Sequence, residues 1–122
     1  SLHGAPCWFE TLTTDVGLAS TFYAGLFGWA PEVMSMPGYD YTVFKIGTDP
    51  VAGMLRITPE MGNLRPHWGT YFTMNDADEA AEEAIRLGAR LCVPVRDIPG
   101  VGRFCGITSP QGVTFYAIRY SS

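Results

Sequence analysis

Asp15-Val16-Gly17-Leu18-Ala19-Ser20-Thr21-Phe22-Tyr23-Ala24-Gly25-Leu26-Phe27-Gly28-Trp29 is the stretch on which the reading of the fold turns. Thr14-Asp15 offers a helix N-cap, because a short side-chain oxygen can accept from a backbone N–H that the first helical turn leaves unpaired. Leu18, Phe22 and Leu26 recur at i, i+4 and i+8, with Ala19 and Phe27 beside them, and the spacing predicts an apolar stripe turned toward a core. Gly28 can take the left-handed conformation that closes a helix. Ahead of the cap, Cys7-Trp8-Phe9-Glu10-Thr11-Leu12-Thr13 is rich in aromatic residues and threonine and suits a strand. Behind the helix, a connection carrying Pro31 and ending near Pro37-Gly38 leads to strands expected at residues 39–46 and 51–57, with Gly47-Thr48-Asp49-Pro50 as their turn.

The same order then recurs. Residues 59–66 contain Pro, Gly and Asn with little periodicity and read as a linker. A strand follows at residues 68–74, then Asn75-Asp76 as a second cap, with Glu79 placed for a capping box. Ala77, Ala80, Ala81, Ala84, Ile85 and Leu87 carry a second helix whose solvated side shows Glu82, Glu83 and Arg86, and Gly88 ends it. Strands are expected at residues 90–95, 103–107 and 113–120, separated by Pro99-Gly100 and Ser109-Pro110-Gln111-Gly112. The caps Asp15 and Asp76 lie 61 residues apart, half the chain. Each half reads strand, helix, then two or three strands, and neither alone can cover both faces of its sheet. The expected organisation is one domain over residues 1–122, with module one at about 5–58, the linker at 59–66 and module two at about 67–120.

Composition narrows the function. Apolar residues are 47% of the chain, enough for a core, and the net charge is −4, with Lys45 the one lysine and the arginines scattered. An acidic chain without a basic cluster is a poor partner for nucleic acid or an anionic membrane. No apolar run approaches the roughly 20 residues that cross a bilayer, and Ser1-Leu2-His3-Gly4 lacks signal-peptide character. Cys7, Cys92 and Cys105 are odd in number and not at Cys-x-x-Cys spacing, so they read as buried, reduced thiols of a cytoplasmic protein. Cys105, within the glycine-flanked residues 102–106, is the candidate for a reactive thiol.

Several motifs together resemble a known superfamily: Asp15, Phe22-Tyr23 and Leu26-Phe27-Gly28-Trp29 in the first half, and Asp76, Ala84-Ile85-Arg86-Leu87-Gly88-Ala89 and Ser109-Pro110-Gln111-Gly112 in the second. They resemble the vicinal-oxygen-chelate (glyoxalase/bleomycin resistance/dioxygenase) superfamily. Cys7-Trp8-Phe9-Glu10, Pro66-His67-Trp68, Tyr71-Phe72 and residues 99–104 are similar to its Cfp30B-like glyoxalase-domain subgroup. The resemblance spans about residues 5–120 and implies an α+β fold, two βαβββ modules forming an incompletely closed eight-stranded barrel with the helices outside and a cavity within. Ser109 stands where the last turn usually carries Asp.

Metal-using members place one inward ligand, His, Glu or Gln, on each of four strands. The resemblance maps those positions to Trp8, Met54, Thr70 and Tyr116, and that set cannot hold a hard divalent ion. No metal and no other cofactor is therefore expected. Strand alternation from Trp8 puts Glu10 on the same face, where burial would disfavour its charge and make it a candidate general base; a salt bridge to Arg56 or Arg103 is the plainer role. His67 reads as a strand-entry hydrogen-bonding group or a pocket-rim residue. The expected ligand pocket comprises Trp8, Glu10, Met54, Arg56, Trp68, Thr70, Phe72, Phe104 and Tyr116, the profile of an apolar small-molecule site with a few orienting polar groups. Large side chains that simply fill the space are the alternative. The leading functional expectation is a metal-independent binder of a largely apolar or aromatic metabolite. The alternatives are an enzyme of the same superfamily (lyase or isomerase, or hydroxylase or dioxygenase) with Glu10 as proton shuttle, and a structural half completed as a homodimer or by a companion domain.

Overall fold

The structure, a computed structural model, describes residues 2–121. Its elements are β1 (Pro6–Thr13), α1 (Val16–Phe27), β2 (Ala30–Met36), β3 (Tyr39–Ile46), β4 (Asp49–Arg56), β5 (His67–Thr73), α2 (Ala77–Arg86), β6 (Arg90–Ile98), β7 (Gly102–Thr108) and β8 (Thr114–Tyr120), with a short 3-10 turn at Pro59–Met61. The fold is α+β, and strand, helix and three strands occur twice, as the sequence led one to expect. Two compact units form, Trp8–Trp68 and Ser1–Cys7 with Gly69–Ser122.

In the unit Trp8–Trp68 the strands run in the order β2-β3-β4-β1. Strands β2, β3 and β4 are antiparallel neighbours and β1 joins β4 in parallel, with Glu10 beside Gly53 and Thr11 beside Met54. The cap of α1 forms as read: Asp15 Oδ1 accepts from Leu18 N–H at 3.0 Å, and Gly28 closes the helix at φ 71°. Phe44, Ala52 and Met54 make the core, against Val16, Ala19, Tyr23 and Trp29.

Two expectations fail in this unit. The Pro31 connection is a strand, β2, paired along its length with β3. Nearly all of β2 is exposed, so no buried alternation marks it, and Pro31 is tolerated because an edge strand can lack one ladder N–H. The helix also turns the other way: Val16, Ala19 and Tyr23 face the core, while Leu18, Phe22 and Leu26 are exposed. Residues 16–27 include no charged side chain, so apolar residues surround the helix and periodicity alone could not choose the buried side. Tyr23 chooses it. Its ring lies edge-on to Phe44 and Trp68, and its hydroxyl accepts from Trp68 Nε1 at 3.1 Å.

In the other unit the order is β5-β8-β7-β6, with β5 parallel to β8 and the remaining neighbours antiparallel. Residues 4–7 run along β5: Thr73 N–H donates to the Ala5 carbonyl at 2.9 Å, and the Cys7 thiol donates to the Tyr71 carbonyl at 3.3 Å. Helix α2 starts at Asp76, whose Oδ1 accepts from Glu79 N–H at 3.0 Å. Its buried Ala80 and Ala81 have side chains small enough to let the helix settle closely on Cys105, Ile107 and Ala117.

Candidate functional site

Register decides which side chains share a face, because neighbours across a ladder point to the same side of the sheet. In the unit Trp8–Trp68, Met54 is paired with Thr11 and Thr42 and is packed in the helix-covered core at 1% exposure. Gly53, paired with Glu10 and Val43, therefore belongs to the opposite, helix-free face. Tyr41 reaches over Gly53 there and accepts from Trp8 Nε1 at 2.8 Å. A Cβ on residue 53 would stand 1.8 Å from the Tyr41 hydroxyl oxygen and 2.5 Å from Cζ, so only glycine leaves room for the ring. Glu10, 5% exposed, is on the same face.

His67 joins them. Trp68 is bonded to Tyr23 on the α1 side, so alternation along β5 turns His67 to the helix-free side. Its Nδ1 lies 2.7 Å from the Arg65 carbonyl, which can only accept, so Nδ1 carries the hydrogen in the neutral ring. Nε2 then offers a lone pair, and that atom is buried without a hydrogen-bond partner. The loop bond is the strand-entry role read from the sequence; the inward acceptor is an addition to it.

Of the expected lining in this unit, Trp8 and Glu10 share the face, whereas Met54, Arg56 and Trp68 do not. Arg56 is exposed and its Nη1 donates to the Thr14 carbonyl at 3.4 Å. On β4 the mapped position is one residue off, since Gly53 and not Met54 pairs with Glu10, and a slip of one residue turns every side chain of a strand to its other face.

In the unit Ser1–Cys7 with Gly69–Ser122, Tyr116 stacks on Tyr71 at 4.8 Å between ring centroids, and Phe104 lies 6.3 Å from Tyr71. The Arg96 guanidinium sits over the Phe104 ring at 5.6 Å. Phe104 and Tyr116 thus both lie against Tyr71, which was not among the expected lining residues. Thr70 and Phe72 alternate to the other face, and Phe72 packs edge-on to Phe115 at 5.6 Å, beside the α2 core. Gly53 was the readable signal for Tyr41, since a glycine inside a strand marks a close approach. Tyr71 had none, because its face follows from pairing with Tyr116.

Arg103 is engaged elsewhere in its unit: Nε and Nη2 donate to Asp78 at 2.8 and 3.1 Å and Nη1 to Asp97 at 3.1 Å. These bonds hold Asp78 below the usual carboxylate range. Cys105 is fully buried and burial pushes its thiol up, which disfavours the nucleophilic thiolate and overturns the reading of it as reactive. Cys92 is exposed, against the expectation that all three thiols are buried, and should react with an aromatic disulfide reagent in the native protein, Cys105 only after denaturant is added. Mass mapping of the labelled peptides checks this; rapid native labelling of Cys105 would contradict its burial.

The four positions that the superfamily uses for a metal do not fit one in this chain. The Trp8 indole has no lone pair to give and its N–H is committed to Tyr41. Met54 lies under α1, Thr70 points to the other face, and Tyr116 is stacked on Tyr71. Among the described residues no group of three or more His, Cys, Asp or Glu side chains could hold an ion.

No family model matches the chain. CFP32 of Mycobacterium tuberculosis, whose name includes the word glyoxylase, is 35% identical over 117 residues, covering 95% of this chain and 44% of that protein. The anthracycline biosynthesis protein DauV of Streptomyces sp. strain C5 is 33% identical over 129 residues, covering 95% and 47%. A methylmalonyl-CoA epimerase of Mycobacterium tuberculosis has a similar fold, with a TM-score of 0.64 at 16% identity over 100% of this chain and 91% of its own. A methylmalonyl-CoA epimerase crystallised with methylmalonyl-CoA and NH4+ gives a TM-score of 0.67 at 15% identity, over 99% and 97%. The chain belongs to the vicinal-oxygen-chelate superfamily. It spans less than half the length of the curated relatives it matches. Among the described residues no helix is long and apolar enough to cross a membrane.

Proposed function

We propose that this vicinal-oxygen-chelate domain binds a largely apolar, aromatic small molecule on the helix-free face, with neither a metal ion nor another cofactor. The observation that carries the reading is the buried, unpartnered His67 Nε2 on the face that also presents the Trp8–Tyr41 pair and Glu10. A buried acceptor without a partner costs about 1–3 kcal/mol, and a ligand hydroxyl or N–H recovers that by donating to it. The rings of Trp8 and Tyr41 supply apolar area with polar tips, the combination found in small-molecule sites. The name of DauV points to anthracyclines, flat fused-ring compounds bearing hydroxyls, as the ligand class to try. The free thiols of Cys7, Cys92 and Cys105 suit work in the cytoplasm.

Titration of intrinsic tryptophan fluorescence with an anthracycline aglycone tests this. Saturable quenching is expected, with Trp8→Phe removing most of it and His67→Phe weakening affinity about tenfold, the value of one hydrogen bond. Quenching that never saturates, or that neither substitution changes, would end the proposal. A second reading is catalysis. It is favoured by the buried Glu10 carboxylate and by structural neighbours that are methylmalonyl-CoA epimerases. In that reading Glu10 moves a proton as a lyase or isomerase would, and Glu10→Gln keeps ligand affinity while losing turnover.

A further inference from the structure

Arg96 stands on the helix-free face of the unit Ser1–Cys7 with Gly69–Ser122. Its neighbours along β6 turn to the α2 side: Val95 packs against the core there, and Asp97 accepts from Arg103, which also holds Asp78 of α2. Arg96 alternates away from them and pairs with Phe104, whose ring centroid lies 5.6 Å from the guanidinium carbon. From Gly102 to Thr108 on β7 and from Thr114 to Tyr120 on β8, the residues that point the same way hold no charge. Among the described residues of β6 on this side the one other charge, Arg90 opposite Thr108, is also positive. Arg96 itself is exposed, and among the described residues no carboxylate or carbonyl accepts from it. Arg86 and Arg103, by contrast, are paired with carboxylates.

We propose that Arg96 binds the carboxylate of a small aryl carboxylic acid on this face. Stacking on Phe104 uses the flat side of the guanidinium and leaves its edge, where the N–H donors lie, directed outward. Two parallel N–H groups at that edge match the two oxygens of a carboxylate. The ring also holds the planar group in place before a ligand arrives, so less side-chain freedom is lost on binding. It keeps water off one side as well, which strengthens the pair. Charge selects a carboxylate over a phosphate, because one guanidinium balances one negative charge and a phosphate monoester carries about two. Apolar surface beside Arg96 takes the rest of the ligand. Ile98 lies two residues on along the same face, half-buried, and Tyr120, 38% exposed, stands in the same row across Gly102. These contacts all lie within this unit, so the inference stands apart from the reading of His67.

Isothermal titration calorimetry of the chain with 2-naphthoate, 2-naphthamide and 2-naphthyl phosphate tests this. The carboxylate is expected to bind at least ~10-fold more tightly than the amide, as hydrogen bonds to a charged group allow, and more tightly than the phosphate. Arg96→Gln is expected to bring the carboxylate down to the affinity of the amide while leaving the amide unchanged. Arg96→Lys keeps the charge without the fork and is expected to restore only part of the difference. No binding of 2-naphthoate at millimolar concentration, equal affinity for carboxylate and amide, or tighter binding of the phosphate overturns the proposal. So does a preference that survives Arg96→Gln, or an equal loss of both ligands in that variant. If Arg96→Gln fails to fold, Arg96→Lys and the three ligands on the unsubstituted chain decide.

Discussion

Gly102→Ala is expected to lower stability by about 3 kcal/mol or more, an amount that removes much of a small domain's margin. Gly102 is paired with Tyr120 where β7 meets β8. A Cβ there would stand 2.2 Å from the Arg119 carbonyl oxygen, 2.9 Å from Tyr120 Cα and 3.0 Å from Arg119 C. Each of those atoms is backbone, so no rotamer change relieves the contact, and separating the strands would break the ladder. The neighbouring bond from Ser121 N–H to the Val101 carbonyl, 2.8 Å, would go with it. Urea denaturation monitored by circular dichroism measures the change. Gly100→Ala is the control: its φ of 77° is left-handed but nothing lies within 4 Å of the added carbon, so it should cost only about 1 kcal/mol. Equal losses in the two variants would show that the β7–β8 register is misdescribed.

The second large effect is expected at Gly53, and it is conditional. Gly53→Ala drives a methyl into the Tyr41 phenol, 1.8 Å from its oxygen, and forces the ring off its bond to Trp8 Nε1. Overpacking of this kind costs about 1–3 kcal/mol. With Tyr41→Ala already in place the same methyl meets only the tip of the Trp8 indole, Nε1 at 3.0 Å, and the cost should fall by at least ~0.5 kcal/mol, the smallest coupling expected of residues in contact. The four proteins form a cycle whose coupling measures how tightly the ring is seated. Additive losses would mean that Tyr41 does not rest on Gly53, and the proposed binding face would lose its floor.

Much of the fold was legible because local chemistry announced it. Both aspartate caps, the closing Gly28 and the repeat of strand and helix are written in short-range patterns whose physics needs no distant partner. The faces were less legible. Counting alternation from family positions depends on a regular strand and on a starting position that is right to the residue. It failed on β4, where the counted position is one residue off: Gly53, not Met54, stands beside Glu10. On β5 it failed because pairing with β8 sets Tyr71, not Thr70 or Phe72, beside Tyr116. Helix α1 shows the same limit from another side. A stripe at i, i+4, i+8 is visible in the sequence, but whether it faces inward depends on where Tyr23 anchors, and that is a tertiary matter.

The passage of the chain through β1 has a practical consequence. Residues 4–7 hydrogen bond along β5, within the unit that otherwise begins at Gly69, while the rest of β1 belongs to the unit Trp8–Trp68. A gene cut at the linker, residues 59–66, would therefore deliver one fragment carrying an extension it cannot use and another missing its border strand. Anyone wishing to express the halves separately would do better to permute the chain, grafting the first seven residues onto the piece that needs them.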